Sequence, residues 1–223
     1  MPGPAVERFL ATVHPLLRDA DPALSRLGER HELVAVFGDL EARTRRSLWN
    51  MQVSVGAAFA HRTRPLNASS RARGIEERMI HDRTQAARLP LVTTYDPHLR
   101  VGSVSTQLMV LDERYAVLPG APGTDDTWSA FGTADPDLVA LARAAFLETW
   151  EAAVPWSEAG LRPPLPQRRF DVAMLLVDGR SDREIAGELG ISARTVSLEV
   201  RAVIDWLGAR SRSHAVAMLV GAA

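Results

Sequence analysis

The sequence predicts an α/β region followed by a small all-α bundle of four helices, and three observations carry that expectation. Apolar residues recur at helical spacing early in the chain, pass into short β-type runs in the middle, and return to helical spacing before residue 155. The stretch "PWSEAGLRPPLP", 155–166, holds four prolines and cannot be continuous helix, which makes it the natural boundary. Beyond it, "DGR", "GIS" and "GARS" separate four apolar-periodic segments. The expected organisation is an α/β domain over 1–154, a Pro-rich linker over 155–166 and a helical domain over 167–223.

Taken in order, "VERFLATVHPLLRDA" places Val6, Phe9, Leu10, Val13, Leu16 and Leu17 on one helical face, with Pro15 expected to kink or end the helix. "DPALSRLGER" opens with Asp21 and a proline, a helix start signal. "HELVAVFGDLEARTRR" aligns Leu33, Val36, Phe37 and Leu40. "SLWNMQVSV" and "GIEERMIHD" read as strands, and "RTRPLNASSRARG" between them as an exposed loop. "STQLMVLDERYAVLPG" holds two apolar runs about the turn-like "DER". "DPDLVALARAAFLETWEAAV" is a helix with Leu138, Leu141, Phe146 and Trp150 inward. The last four helices are expected near 167–178, 181–189, 193–207 and 212–220.

Two of these meet through "LGIS", where Gly190 supplies a left-handed residue and Ser192 a cap. That is helix-turn-helix spacing. Ser181 and Glu184 form a capping box ahead of "REIAGEL". Val196, Val200, Val203, Ile204 and Leu207 close a core against Val172, Leu175 and Leu176.

Composition narrows the function classes. The formal net charge is −1, so no global polycation exists to bind nucleic acid indiscriminately, and any such contact must be local. All 26 basic residues are arginine, a planar forked donor suited to phosphate and guanine edges. There is no cysteine, which excludes disulfides and thiol chemistry. No apolar run approaches the ~20 residues that span a bilayer, so a soluble cytoplasmic protein without membrane contact is expected.

The block "DGRSDREIAGELGISARTVSLEVRAVIDWLGARSRSHAVAML" resembles the DNA-binding domain of LuxR-type (GerE-type) bacterial transcription regulators, over roughly residues 165–220. The resemblance implies a third helix, Ala193 to Leu207, that enters the major groove of double-stranded DNA, and a last helix that makes a homodimer. Ser192, Arg194, Thr195, Ser197 and Arg201 are the candidate contacts on that helix, with Arg183, Arg210 and Arg212 flanking it. Three positions depart from the family pattern. Ser197 stands where lysine is usual, Glu199 where the residue is usually non-acidic, and Arg169 where glutamate is usual. A lost phosphate anchor and an added repulsive charge are therefore expected to weaken the grip on DNA. From Arg162 onward nine arginines face seven acidic residues, so the margin of positive charge is thin. An alternative function follows from Glu199: a protein-interaction antagonist that dimerises but binds DNA weakly or not at all.

"STQLMVLDERYAVLPGAPG" resembles the active-site strand of the phospholipase D superfamily, whose H-x-K-x4-D motif here reads Ser105, Gln107 and Asp112. The imidazole nucleophile and the phosphate-holding lysine are replaced, so no enzyme activity and no cofactor are expected. The wider segment, 31 to about 153, resembles the phospholipase D-like sensor domains found before LuxR-type modules and in TrmB-type regulators, which implies a small-molecule or protein effector. Trp49, Arg78 and His81, near expected strand ends, are the candidate ligand-binding residues. His61 and His81 with Asp82 or Asp96 are too dispersed to argue for a metal site. The four arginines of "HRTRPLNASSRARG" read as a solvated face rather than a DNA contact.

Overall fold

A computed structural model describes residues 2–29, 31–54, 56–120 and 129–221. The last residues of the phospholipase D-like segment, 121–123, lie outside the described residues. Helix α1 (Pro4–Arg18) leads to strand β1 (Ser25–Gly28), helix α2 (Leu33–Arg43) and strand β2 (Ser47–Gln52). Helix α3 (Ala57–Ala72), strand β3 (Glu76–Asp82), helices α4 (Arg83–Arg88) and α5 (Val92–Tyr95) and strand β4 (Arg100–Gly102) follow. The hairpin β5 (Leu108–Leu111) and β6 (Tyr115–Pro119), then β7 (Ala130–Thr133), helix α6 (Pro136–Ala152) and the edge strand β8 (Val154–Pro155) complete an eight-stranded mixed sheet. Its order is β1-β7-β6-β5-β2-β3-β4-β8. Four helices close the chain: α7 (Gln167–Val177), α8 (Asp182–Leu189), α9 (Ala193–Leu207) and α10 (Arg212–Leu219).

Strands β2 and β3 pair in parallel, and parallel neighbours need a crossover longer than a hairpin. Helix α3 is that crossover, so "RTRPLNASSRARG" is not the exposed loop its composition predicts. Phe59, Thr63, Leu66 and Ser70 recur along one helical face, and Ser70 is fully buried. The helix accommodates Pro65 in its interior. "DPALSRLGER" is likewise not a helix. Asp21 accepts a hydrogen bond from the Ala23 amide at 2.8 Å, a local turn, and Ser25–Gly28 pairs antiparallel with β7. Cross-strand pairing overrides the local start signal there. Helix α1 runs on past Pro15 to Arg18.

The expected strands and hairpin form as β2, β3, β5 and β6. Asp112 and Glu113 take φ of 51° and 57°, the left-handed pair that a tight β5–β6 turn requires. Strand alternation sends Trp49, Met51, Ile80, Val110 and Ala116 to a core beneath α1 and α6. Leu48, Met79, Val101 and Leu111 point to the opposite face, where they join one continuous apolar cluster with the C-terminal helices. Among the described residues, no helix is long and apolar enough to cross a membrane.

Candidate nucleic-acid interface

The C-terminal helices end where the sequence places their caps. Ser181 and Glu184 form the reciprocal capping box of α8, and Gly190 closes it at φ 64°. The Ser192 hydroxyl accepts from the Thr195 amide at 3.1 Å and so starts α9. Val196, Val200, Val203 and Leu207 turn inward against Phe170, Val172, Leu176 and Ile185. With the inner stripe fixed, the opposite stripe of α9 is committed to solvent.

Arg194, Ser197, Leu198 and Arg201 occupy that outer face, and Arg183 and Arg210 lie exposed on neighbouring turns. The guanidinium groups of Arg183, Arg194, Arg201 and Arg210 make no hydrogen bond or ion pair among the described residues, so their donors face water. Thr195 is half-buried and its hydroxyl lies 2.8 Å from that of Ser192. Ser197 donates to Asp182 at 3.1 Å and to the Ala193 carbonyl at 3.1 Å. Arg212 differs from the other candidate arginines: it pairs with Asp182 and donates to the Arg180 carbonyl, stapling α10 to α8. Its fork is engaged within the module.

The expected repulsion from Glu199 is corrected by the geometry. Arg169 Nε of α7 donates to the Glu199 carboxylate at 2.9 Å, with the glutamate side chain only 18% exposed. Two of the three departures from the family pattern are thus one ion pair, turned away from the outer stripe. Sequence reasoning noted both residues without connecting them, since α7 and α9 meet only in the folded bundle.

Leu198 was missed as well. It is 61% exposed, between Arg194 and Arg201 on the outer stripe. The signal lies in its phase: Val196, Val200, Val203 and Leu207 define the inward face, and Leu198 does not belong to it.

The proline-rich stretch 155–166 bonds to both the sheet region and the C-terminal helices. Trp156 Nε1 donates to the Pro97 carbonyl at 2.9 Å, and the Leu165 amide donates to Thr94 at 3.0 Å. Arg162 donates to the carbonyls of Trp206 and Leu207, which lack partners at the end of α9. Trp206, whose role the sequence leaves open, donates from Nε1 to the Pro163 carbonyl at 3.2 Å.

Trp49 and Arg78 are brought together, but His81 is not. Trp49 is buried and stacks on Phe146 at 5.3 Å, while Arg78 lies over the Trp49 ring at 4.8 Å and pairs with Glu76. His81 projects to the opposite face of the sheet, because it follows Arg78 by an odd number of residues along β3. Its burial lowers its pKa to about 4, so the ring is neutral.

Of the three phospholipase D-like positions, Asp112 has a structural task. Its carboxylate accepts from the amides of Arg45, Arg46 and Ser47 at 2.6–3.1 Å. Burial pushes its pKa up, but those amide hydrogen bonds outweigh it and hold the group below its ordinary value. Gln107 lines a cavity on the α3 side of the sheet. No group of three or more potential metal ligands occurs among the described residues.

Capped helices, an ordered left-handed turn and an exposed arginine-bearing third helix define the module as a helix-turn-helix domain. The family of bacterial regulatory proteins called the luxR family (GerE) matches residues 163–219, and those residues form a LuxR-type helix-turn-helix domain. No curated protein matches the chain significantly by sequence. Similar solved structures include TrmBL2, an archaeal chromatin protein with a novel mode of DNA binding, at 14% identity and a TM-score of 0.49, covering 66% of this chain. The chain spans 60% of that protein's length. Nuc, a phospholipase D family member from Salmonella typhimurium, aligns at 13% identity and a TM-score of 0.43, over 54% of this chain and 88% of that one. NucT from Helicobacter pylori aligns at 15% identity and a TM-score of 0.45, over 59% and 96%.

Proposed function

We propose that the protein is a transcription regulator that binds double-stranded DNA through α9 and acts as a homodimer through α10, under control of its α/β region by a ligand or partner. The observation that carries the reading is the LuxR-type domain at 163–219 with its outer stripe free. Arg194 and Arg201 supply planar forks for guanine edges or phosphates, and Arg183 and Arg210 supply phosphate contacts beside them. Leu198 offers an apolar contact to a thymine methyl group between the two arginines. Ser192 and Thr195 place the start of α9 at the backbone, and Ser197, already bonded to Asp182, is a weaker contact than the lysine usual there. Arg212 supports the module from within. The 1–154, 155–166 and 167–223 division describes how the parts work, with 155–166 as a fixed strap.

The antagonist reading loses its motivating feature, since Glu199 is neutralised by Arg169. Selection of bound sequences from a random duplex library, followed by anisotropy titrations at low and moderate salt, tests the proposal. A salt-sensitive, sequence-preferring complex is the expected outcome. No complex at low salt would overturn it.

A further inference from the structure

Strand β2, "SLWNMQ", is buried at all of its positions, and strands buried on both faces are normally apolar throughout. Asn50 and Gln52 break that rule on one face. They are 5% and 9% exposed, and the side-chain oxygens Oδ1 of Asn50 and Oε1 of Gln52 accept no hydrogen bond among the described residues. A buried acceptor without a donor is costly, so two on one strand face call for a donor from elsewhere.

Both residues line a cavity of about 50 Å³ between the sheet and the layer formed by α2 and α3. Phe37 and Phe59, edge to face at 6.0 Å, and Met109 supply its apolar wall, and Gln107 and Thr63 add polar groups. The one ionisable lining group, Glu41, is already bonded to Arg73 and Ser70. No free charge remains to attract an ion. Asn50 and Gln52 sit two residues apart on the strand, so their Cα atoms are spaced by about 6–7 Å along it.

We propose that this cavity is a binding site for a small uncharged molecule that presents two separated O–H or N–H donors to Asn50 and Gln52 and its carbon skeleton to Phe37 and Phe59. The space is small and open on one side, so it suits a molecule of a few heavy atoms rather than a large ligand. Helix α3 forms one side of the cavity and carries the signal outward. Next to Thr63, Arg64 donates to Gln167 Oε1 at 3.0 Å and lies 4.4 Å from the Phe170 ring, so it grips α7 of the DNA-binding module. A regulatory consequence rests on the regulator reading above, whereas the site itself does not.

The test uses the full-length protein without DNA and two probes of equal heavy-atom count, 1,4-butanediol and 1,2-dimethoxyethane. Only the diol donates. Side-chain amide signals of Asn50 and Gln52 are followed by NMR titration. The diol is expected to shift both saturably and to bind about five- to tenfold more tightly than the ether, the ratio that one to two neutral hydrogen bonds give. In Asn50→Leu combined with Gln52→Leu, that preference is expected to vanish in a titration followed at the Phe59 ring. Equal binding of the two probes, or no saturable shift with either, overturns the site and leaves a water-filled gap. If the double variant does not fold, the comparison of probes on the unaltered protein decides alone. Probe binding by a protein that fails the DNA titration refutes the regulator reading and keeps the site; the reverse pattern refutes the site only.

Discussion

Beneath α6, the sheet meets Ala142, Ala145 and Phe146 at zero exposure, and α1 adds Phe9 and Val13 at 1% and 2%. On the opposite face, the buried side chains of α2 and α3 among the described residues are Glu41 and Ser70, both polar and joined by a hydrogen bond of 3.0 Å. One layer is close-packed carbon, whereas the α2 and α3 part of the other carries a polar staple beside a cavity. The buried ionisable groups Glu41, Glu77, His81 and Asp96 also lie on the second face, as does the cluster that joins the DNA-binding module to the sheet. The two sides of one sheet thus differ in the chemistry that packs them.

Phe146→Ala attacks the close-packed face and is expected to cost about 3–5 kcal/mol in urea unfolding. Phe59→Ala, in the looser layer, should cost about 1 kcal/mol. Equal losses would break the comparison. On the module, Arg194→Ala and Arg201→Ala should each weaken DNA binding by roughly 1–3 kcal/mol in anisotropy titrations, with the melting temperature unchanged. Arg212→Ala should do the reverse, lowering the melting temperature first, because its fork holds α8 to α10.

Asp96 sharpens the contrast through pH. Burial raises its pKa to about 7, with Glu77 adding to the rise and Arg71 opposing it. A folded pKa above the unfolded one means a stability contribution complete below about pH 4 that is lost as pH rises through about 7. Asp96→Asn escapes that loss, so its stability relative to the parent should climb across the window by up to about 1.4 kcal/mol per pH unit. His81 works in the other direction: lowered to about 4, its contribution is present above about 6.5 and fades as pH falls through 4. Being common to both proteins, it cancels in the difference. A pH-independent difference would remove Asp96 from the account. The smallest effect expected is that of Arg64→Ala, a few-fold faster proteolytic cleavage within 156–166 as α7 loosens from α3.

The helical module was legible because its signals are local. Ser181 with Glu184, Gly190, Ser192 and Gly208 fix helix ends to within a residue or two whatever lies around them. The sheet face below α2 and α3 was not, because its determinants are distant. Pro65 and the Ser/Arg-rich composition hide α3, and only the parallel pairing of β2 with β3 makes a helix obligatory there. Strands β4 and β8 are three and two residues long and carry no period to read. Among candidate contacts, exposure of Arg194 and Arg201 follows from helical phase, but the engagement of Arg212 and the pairing of Arg169 with Glu199 depend on which helices meet. The grouping of Trp49, Arg78 and His81 failed on strand parity, which the spacing 78 to 81 already contained. The cavity left one sequence trace: two amides on one face of a fully buried strand.

The bond between Arg169 and Glu199 makes the effect of either residue conditional on the other. A mutational scan should score Arg169→Glu as harmful, since it sets two carboxylates side by side, and Glu199→Arg as harmful for the mirror reason. The double exchange should recover much of what each single change loses. Tolerance of an acidic residue on α9 is therefore a joint property of two helices, and the order in which positions 169 and 199 change decides whether like charges meet.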